Sequence, residues 1–296
     1  MRLAFLAPEF LPAWGGVGTY SVELIKNLSK NKNLDVHVIT PARGKNYDKD
    51  SVLDYFDNRI DIHNISKAED NFFYNFSFQL AVRKEFKNLK RKHKFDLIHS
   101  ANLVHMPDIF LKFDKQDIPS VTTVHTTLKS QSHVVGKAKL EGAREKSTVE
   151  RMTSLAYPYI SLMEKKYLKE TDNLIAVSDW VRGFVLEKAS PKNMEVIPNG
   201  VDVKRFSPII SKAEVGVEDF LELKDMGRPI VLYCGRLMAL KGLKTLIDSM
   251  KMVLQEEDAC FVFAGPGESE PWKKRISSLG ILNKNYWFLG QVRHDR

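Results

Sequence analysis

The segment 235–242, Gly-Arg-Leu-Met-Ala-Leu-Lys-Gly, combines residue types that suit the binding of a diphosphate. It begins where the apolar run Ile230–Cys234 ends, and it places Arg236 and Lys241 near the start of a predicted helix. The guanidinium of Arg236 can bind phosphate oxygens in a bidentate manner, while the ammonium of Lys241 supplies a mobile point charge. A solvated basic loop is the alternative interpretation of the same residues.

Two glycine-rich segments follow predicted strands and are candidates for donor binding. Gly15 and Gly16 precede a predicted helix, so N–H groups at its start can face an anion or a sugar hydroxyl. Gly265 and Gly267 follow the apolar run 261–264 and would let the backbone approach a ligand. The alternative is structural: the first pair begins a helix and the second reverses the chain. Neither segment has the spacing of the G-x-G-x-x-G dinucleotide fingerprint.

His125 closes the predicted strand 121–125 in the sequence Thr-Val-His-Thr-Thr. The carboxyl ends of parallel strands meet at the sheet edge where ligands bind, so we expect its imidazole to face the same cleft. A histidine that is merely structural or exposed is the alternative.

Short β-branched runs alternate with helical patterns, which predicts an α/β fold with parallel strands. The predicted strands are residues 3–7, 36–40, 60–65, 97–100, 121–125, 174–178, 230–234, 261–264 and 286–289. The predicted helices are residues 17–30, 76–94, 148–170, 179–188, 242–254 and 271–279. Proline and glycine punctuate residues 190–208, which predicts a linker. We therefore expect an N-terminal Rossmann-like domain over residues 1–205 and a partial C-terminal Rossmann-like domain over residues 206–296.

Composition narrows the class of protein. The chain has 296 residues, a net charge of +8 and two cysteines in apolar runs, which fits a reduced, cytoplasmic protein that attracts anionic partners. No apolar run is long enough to cross a membrane. The basic stretch 83–94 could lie on an anionic lipid surface at the inner membrane face, although a solvated outer helix face is the alternative. No nucleic-acid-binding module, phosphate loop, nucleophile elbow or zinc-spaced Cys or His cluster is found.

Taken together, these segments resemble the retaining GT-B glycosyltransferases of family four. The matching segments run in the family order over nearly the whole chain, at residues 8–18, 125, 177–182, 197–208, 235–242, 264–267 and 288–290. Each segment alone is weak, and the ordered set is specific.

The resemblance implies two Rossmann-like domains that face a cleft, and transfer of a hexose from a nucleoside diphosphate sugar to an acceptor hydroxyl with retention at the anomeric carbon. The acceptor would be a sugar or a lipid-linked molecule. The resemblance also implies that His125 lies beside the transferred sugar as the catalytic residue, that Gly15 and Gly16 contact donor phosphate or acceptor, and that Arg236 and Lys241 hold the diphosphate. In this family the departing phosphate oxygen takes the acceptor proton, so neither a metal nor a cofactor is expected.

The sequence departs from the family pattern in three places. Thr126 stands where many relatives have aspartate, and Leu240 stands where glutamate often precedes the lysine. The glutamate pair that follows residues 288–290 in relatives is missing, so we expect an incomplete C-terminal domain with an exposed sheet edge. A non-catalytic remnant that binds nucleotide or a partner is therefore the main alternative, and an NAD-dependent oxidoreductase is a weaker one.

Overall fold

A computed structural model describes residues 1–12, 15–44, 47–68, 74–114, 116–130, 148–204, 206, 227–238 and 241–292. The backbone alone is described at residues 148–156. The described residues through Gly200 form one compact unit, here called unit 1, and those from Val201 onward form a second, called unit 2. The predicted domain boundary after residue 205 stays a prediction.

Unit 1 contains a seven-stranded sheet in which every described pair is parallel, in the order β3-β2-β1-β4-β5-β6-β7. The strands are β1 (Arg2–Leu6), β2 (Asp35–Arg43), β3 (Asp61–Ala68), β4 (Leu97–Ser100), β5 (Ser120–Val124), β6 (Asn173–Ala176) and β7 (Asn193–Val196). The order reverses between β1 and β4, which is the topological switch point where open α/β sheets bind ligands.

The helices of unit 1 connect these strands. They are α1 (Gly16–Leu28), α2 (Lys49–Tyr55), α3 (Tyr74–His93), α4 (Ile109–Phe113), α5 (Thr148–Glu170) and α6 (Asp179–Lys188). Among the described residues, no helix is long and apolar enough to cross a membrane.

The alternation of side chains along β1 explains how helices cover both faces of the sheet. Leu3 and Phe5 pack with Val22 and Ile25 of α1 on one face. Ala4 and Leu6 point to the other face and pack with residues of α3, namely Phe78, Val82 and Phe86. The switch-point edge therefore rests on a core that is buried from both sides.

Unit 2 contains a three-stranded parallel sheet in the order β10-β9-β8. Its elements are β8 (Ile230–Cys234), α7 (Leu243–Glu256), β9 (Cys260–Ala264), α8 (Glu270–Ser278), a 3-10 turn (Asn283–Asn285) and β10 (Tyr286–Gly290). Among the described strands β8 pairs only with β9. Its outward side chains, Ile230, Leu232 and Cys234, are exposed, whereas Cys260 in β9 is buried.

The sequence pattern missed three short elements. Strand β7 lies inside the proline-punctuated stretch predicted as a linker, because four residues at a sheet edge give little hydrophobic signal. Helices α2 and α4, seven and five residues long, are too short for a 3.6-residue period to emerge. The α/β class and the parallel pairing are confirmed.

Candidate functional site

The carboxyl edge of the unit 1 sheet at the switch point collects polar groups from three neighbouring strands. The loop after β1 brings Glu9 and Gly15, the loop after β4 brings Asn102 and His105, and His125 directly follows β5. Each lies beyond the end of a buried strand, so the sheet fixes its position without holding it in the core.

Gly15 caps α1 and is already engaged by its neighbours. Its N–H donates to Glu9 Oε2 at 3.3 Å, and its carbonyl accepts from the Thr19 N–H at 2.9 Å and from Thr19 Oγ1 at 3.2 Å. Gly16 begins the helix, and a Cβ added there would meet no atom within 4 Å. The first N–H groups of a helix have no intrahelical partner, so this open position suits an anion or a sugar hydroxyl.

His125 is held as a neutral ring with one nitrogen unused. Burial lowers the pKa of His125 to about 4, although a hydrogen bond to the Ala101 backbone and the charge of Glu9 both act in the opposite direction. The hydrogen bond to Ala101 favours the protonated ring, so the imidazole donates to that carbonyl. Within the described residues Nε2 is buried and has no hydrogen-bond partner. At neutral pH this nitrogen can accept a hydrogen bond from a ligand hydroxyl.

Two further residues fix the position of the His125 ring and the end of β5. The edge of the Tyr20 ring packs against His125 with centroids 4.4 Å apart. The Tyr20 hydroxyl is 2.8 Å from Thr123 Oγ1, which in turn lies 2.9 Å from His99 Nε2. His99 is buried, and its pKa is lowered to about 4, chiefly by that burial. The chain of polar contacts therefore reaches from α1 through β5 to β4.

A second polar cluster borders the same edge. His105 Nε2 lies 3.7 Å from Glu9 Oε1 and 3.1 Å from the Tyr74 hydroxyl, while His105 Nδ1 lies 3.1 Å from Asn102 Nδ2. Burial lowers the pKa of His105 against the opposing charge of Glu9. The Arg43 guanidinium sits 4.5 Å above the Tyr74 ring. Sequence reasoning missed this cluster, since only the position of Glu9 and His105 just after strands β1 and β4 could have indicated it.

In unit 2 the two predicted diphosphate ligands, Arg236 and Lys241, both precede the start of α7 at Leu243. The Arg236 carbonyl accepts from the Tyr233 hydroxyl at 2.7 Å and from the Met238 N–H at 2.8 Å, and the Lys241 N–H donates to the Met238 carbonyl at 3.1 Å. Both Arg236 and Lys241 are exposed, and neither forms an ion pair with the described residues of the chain. Gly242, with φ +73°, caps the helix in the left-handed region. Two cations without an ion-pair partner among the described residues therefore lie just before a helix start.

The glycines after β9 have a packing explanation. A Cβ on Gly265 would lie 2.0 Å from the Gly235 carbonyl oxygen, and one on Gly267 would lie 2.8 Å from the Leu237 Cβ. Both residues have positive φ, at +144° and +137°. The Gly265 N–H donates to the Gly290 carbonyl at 2.7 Å. The close approach of the loops after β8 and β9 thus accounts for glycine at both positions. The role of Gly265 and Gly267 in donor binding stays a prediction.

Unit 1 brings Gly15, Gly16 and His125 to one sheet edge, linked by Glu9, which bonds Gly15 and whose charge acts on His125. Thr126 is described, and its hydroxyl lies 2.7 Å from Ser130 Oγ. Leu240 lies outside the described residues.

Comparison with known proteins identifies the family to which the chain belongs. Residues 14–205 match the model of Glycosyltransferase Family 4, and residues 217–296 match that of Glycosyl transferases group 1. Over 307 residues the chain is 22% identical to the uncharacterized glycosyltransferase MJ1069 of Methanocaldococcus jannaschii, covering all of this chain and 71% of the relative. It is also 22% identical to the alpha-monoglucosyldiacylglycerol synthase of Acholeplasma laidlawii, covering 99% of this chain and 70% of that protein.

A solved structure agrees on the fold. Anabaena HepE in complex with UDP-glucose superposes with a TM-score of 0.66 at 18% identity, covering all of this chain and 70% of the other. The protein is thus a glycosyltransferase of the α/β GT-B fold class, as the sequence resemblance implied. More particularly, the chain belongs to Glycosyltransferase Family 4, and it spans about 70% of the length of the relatives named here.

Proposed function

We propose that this chain transfers a hexose from a nucleoside diphosphate sugar to an acceptor hydroxyl, with retention of anomeric configuration. The proposal depends on the imidazole of His125, which is neutral and whose Nε2 has no hydrogen-bond partner among the described residues. Gly16, the open start of α1, lies at the same edge of the sheet. A buried nitrogen with a free lone pair is rare unless a ligand completes it. A sugar hydroxyl supplies the O–H donor that this nitrogen lacks.

In the proposed reaction, Arg236 and Lys241 bind the diphosphate of the donor. As the bond between the anomeric carbon and the phosphate oxygen breaks, negative charge develops on the leaving diphosphate. Two exposed cations at a helix start stabilise that charge more in the transition state than in the ground state. Their lack of ion-pair partners among the described residues supports this role, because no internal acid competes with the phosphate.

His125 acts in the same proposal as an acceptor of a hydrogen bond from the transferred sugar. The ring is neutral at pH 7, and its Nε2 has no hydrogen-bond partner among the described residues, so Nε2 can accept this bond when the proton is on Nδ1. The ring thereby positions the sugar and adds no charge to the site at neutral pH. Gly16 leaves room for the donor phosphate or the acceptor next to the first turn of α1.

The acceptor of the proposed reaction is a sugar or a lipid-linked molecule at an anionic membrane face. The Acholeplasma relative is named for a glucosylated diacylglycerol. The outer face of α3 begins with exposed Phe76 and Leu80 and continues into exposed Lys87 and Arg91. An apolar start followed by cations suits contact with anionic headgroups.

The decisive experiment follows sugar transfer directly. Purified protein is screened against UDP-, GDP- and ADP-linked hexoses by thermal shift, and the stabilising donor is then incubated with lipid and sugar acceptors. Product formation with the donor's anomeric configuration, read by NMR, supports the proposal. An inverted product would refute retention.

A non-catalytic protein that binds nucleotide is the alternative function. A non-catalytic nucleotide-binding protein would show a thermal shift with donor but neither transfer nor hydrolysis of the sugar. The same screen therefore separates the two functions, with free nucleoside diphosphate release as the readout.

A further inference from the structure

Three histidines of unit 1 converge at the amino-terminal end of its sheet. His37 lies near the start of β2, His63 near the start of β3, and His93 ends α3. His37 Nδ1 is 3.1 Å from His63 Nε2. The His93 ring centroid lies 4.5 Å from that of His37 and 4.9 Å from that of His63. One nitrogen of each ring lies within 4.8 Å of the corresponding nitrogens of the other two.

Two carboxylates complete the cluster. Asp61 Oδ2 is 3.4 Å from His37 Nδ1, and Asp35 Oδ2 is 3.3 Å from His37 Nε2. The His37 side chain is 3% exposed, whereas the carboxylates are 57% and 62% exposed and reach the ring from the solvent side. Both nitrogens of one buried imidazole therefore face a carboxylate.

Two ring nitrogens of the cluster lack a hydrogen bond to the part of the chain that the structure describes. Within the described residues, the Nε2 atoms of His37 and His93 are buried and have no hydrogen-bond partner. Burial lowers the pKa of His63 to about 4, with further lowering by His37 and His93, and burial also lowers the pKa of His93. Neutral imidazoles offer lone pairs at physiological pH, which is the form that binds metals.

We propose that His37, His63 and His93 bind one divalent transition metal ion such as Zn²⁺, with Asp61 as the fourth ligand. Zinc binds imidazole nitrogen at about 2.0–2.1 Å, so two nitrogens of a tetrahedral site lie about 3.3 Å apart. The His37 to His63 separation of 3.1 Å already meets this requirement. The ligand nitrogen of His93 lies within 4.8 Å of those of His37 and His63, so binding to the same ion draws it closer by at most about 1.5 Å.

Asp35 takes the outer position in this site. If Nδ1 of His37 binds the metal, Nε2 carries the proton and faces the Asp35 carboxylate at 3.3 Å. A carboxylate behind a metal-bound histidine fixes the ring and raises its basicity. Nearby Lys49 and Lys92 add positive charge, which the two carboxylates balance.

The proposed ion is structural and not part of the transfer reaction. It lies at the start of β2, whereas His125 follows the carboxyl end of β5, at the opposite edge of the same sheet. Four protein ligands close the coordination sphere and link two strands to the end of a helix. Sequence spacing concealed the set, because His37 and His63 are 26 residues apart and come from different strands.

The test is metal binding by the intact chain after treatment with chelator. Calorimetric titration with ZnCl₂ should show one tight site per chain, and CoCl₂ should give the visible absorption of a tetrahedral ion. Unit 1 should melt roughly 5 °C or more higher at a free Zn²⁺ concentration 100-fold above Kd. Absence of stoichiometric binding in the parent chain would overturn the proposal.

Substitutions assign the ligands. The double variant His63→Gln, His93→Gln should lose the cobalt absorption, and Asp35→Asn should weaken Zn²⁺ binding about 10- to 100-fold while keeping it. The control His125→Gln removes a histidine of the same unit and should bind as the parent does. Retention of the cobalt spectrum in the double variant would refute the site. If that variant fails to fold by circular dichroism, the Asp35→Asn titration decides, since unchanged affinity there contradicts the proposed geometry.

Discussion

The carboxyl edges of the two sheets, one in each unit, are built on opposite principles. In unit 1 the edge around His125 is lined by buried or partly buried neutral groups joined to one another, Tyr20, Thr123 and His125, with the Glu9 carboxylate nearby. In unit 2 it consists of exposed cations, Arg236 and Lys241, on loops that interlock through their backbone. Neutral hydrogen bonds need accurate placement, so they lie where the core fixes them. Charge acts over a longer range and tolerates exposed, mobile side chains.

The two edges should differ most in how they tolerate the replacement of a glycine by alanine. Gly265→Ala forces a Cβ to within 2.0 Å of the Gly235 carbonyl oxygen at a φ of +144°, so the loops after β8 and β9 must move apart. We expect unit 2 to lose about 3 kcal/mol or more of its free energy of unfolding, measured by urea denaturation. The matched variant Gly16→Ala meets open space and should change stability by less than about 1 kcal/mol. Equal losses of unfolding free energy in the two variants would contradict the difference proposed between the two edges.

The two units should also differ in their stability at acidic pH. The pKa values of His99 and His125 are lowered to about 4 in the folded protein, against an ordinary value of 6.5. The unfolded chain therefore takes up these protons first. Their contribution to stability is complete above pH 6.5 and is lost as pH falls toward 4. The described part of unit 2 contains no histidine, so unit 1 should destabilise first.

Hydrogen exchange at pH 7.5, 6, 5 and 4.5 would follow each unit through its own peptides. Protection in β4 and β5 should fall with decreasing pH while that in β8 and β9 changes less. Replacing both histidines by glutamine should reduce the pH dependence at β4 and β5, while His63, whose pKa is also lowered to about 4, still contributes to that of unit 1. A parallel decline in both units would show that these buried rings do not control acid stability.

The cations of unit 2 should control donor affinity. Arg236→Ala and Lys241→Ala should each weaken UDP or GDP binding about 10-fold or more, because each removes a charge-assisted contact with the diphosphate. Calorimetry at two salt concentrations provides the measurement, and the loss should shrink at high salt. Lys251→Ala, an exposed cation elsewhere on α7, serves as the control. Unchanged affinity in both site variants would remove the diphosphate assignment.

The smallest effect per residue is expected when cations on and just after the outer face of α3 are neutralised and membrane binding is measured. Neutralising Lys87, Arg91 and Lys94 should reduce co-sedimentation with phosphatidylglycerol vesicles, since each surface cation contributes about 1 kcal/mol near an anionic membrane. Lys90 is left in place because it pairs with Asp117.

A charge-matched control lies on α5, where the exposed lysines are Lys165, Lys166 and Lys169. Its neutralisation should leave vesicle binding unchanged if α3 forms the contact. Equal loss in the two triple variants would mean that net charge, and not the α3 face, attracts the membrane.

The sequence predicts what depends on local pattern and misses what depends on tertiary contact. Strand runs such as Ile230–Cys234 are confirmed to the residue. Edge strand β7 was hidden by its short length and neighbouring prolines.

Within the candidate site, strand ends could be predicted and partners could not. His125 was predicted at a sheet edge because it ends an apolar run. Its partners Tyr20 and Ala101 come from distant parts of the chain, so no spacing indicated them. Gly265 shows the converse, since a motif that suggests a ligand also fits a close approach between two backbones.

The two cysteines of the chain offer a direct way to observe unit 2. Cys260 is buried, and burial raises the pKa of its thiol, whereas Cys234 is exposed two residues before Arg236. A maleimide dye should therefore label Cys234 selectively in the native protein. If Arg236 and Lys241 bind nucleotide as proposed, the fluorescence of this dye should change on binding, without any change to those two residues.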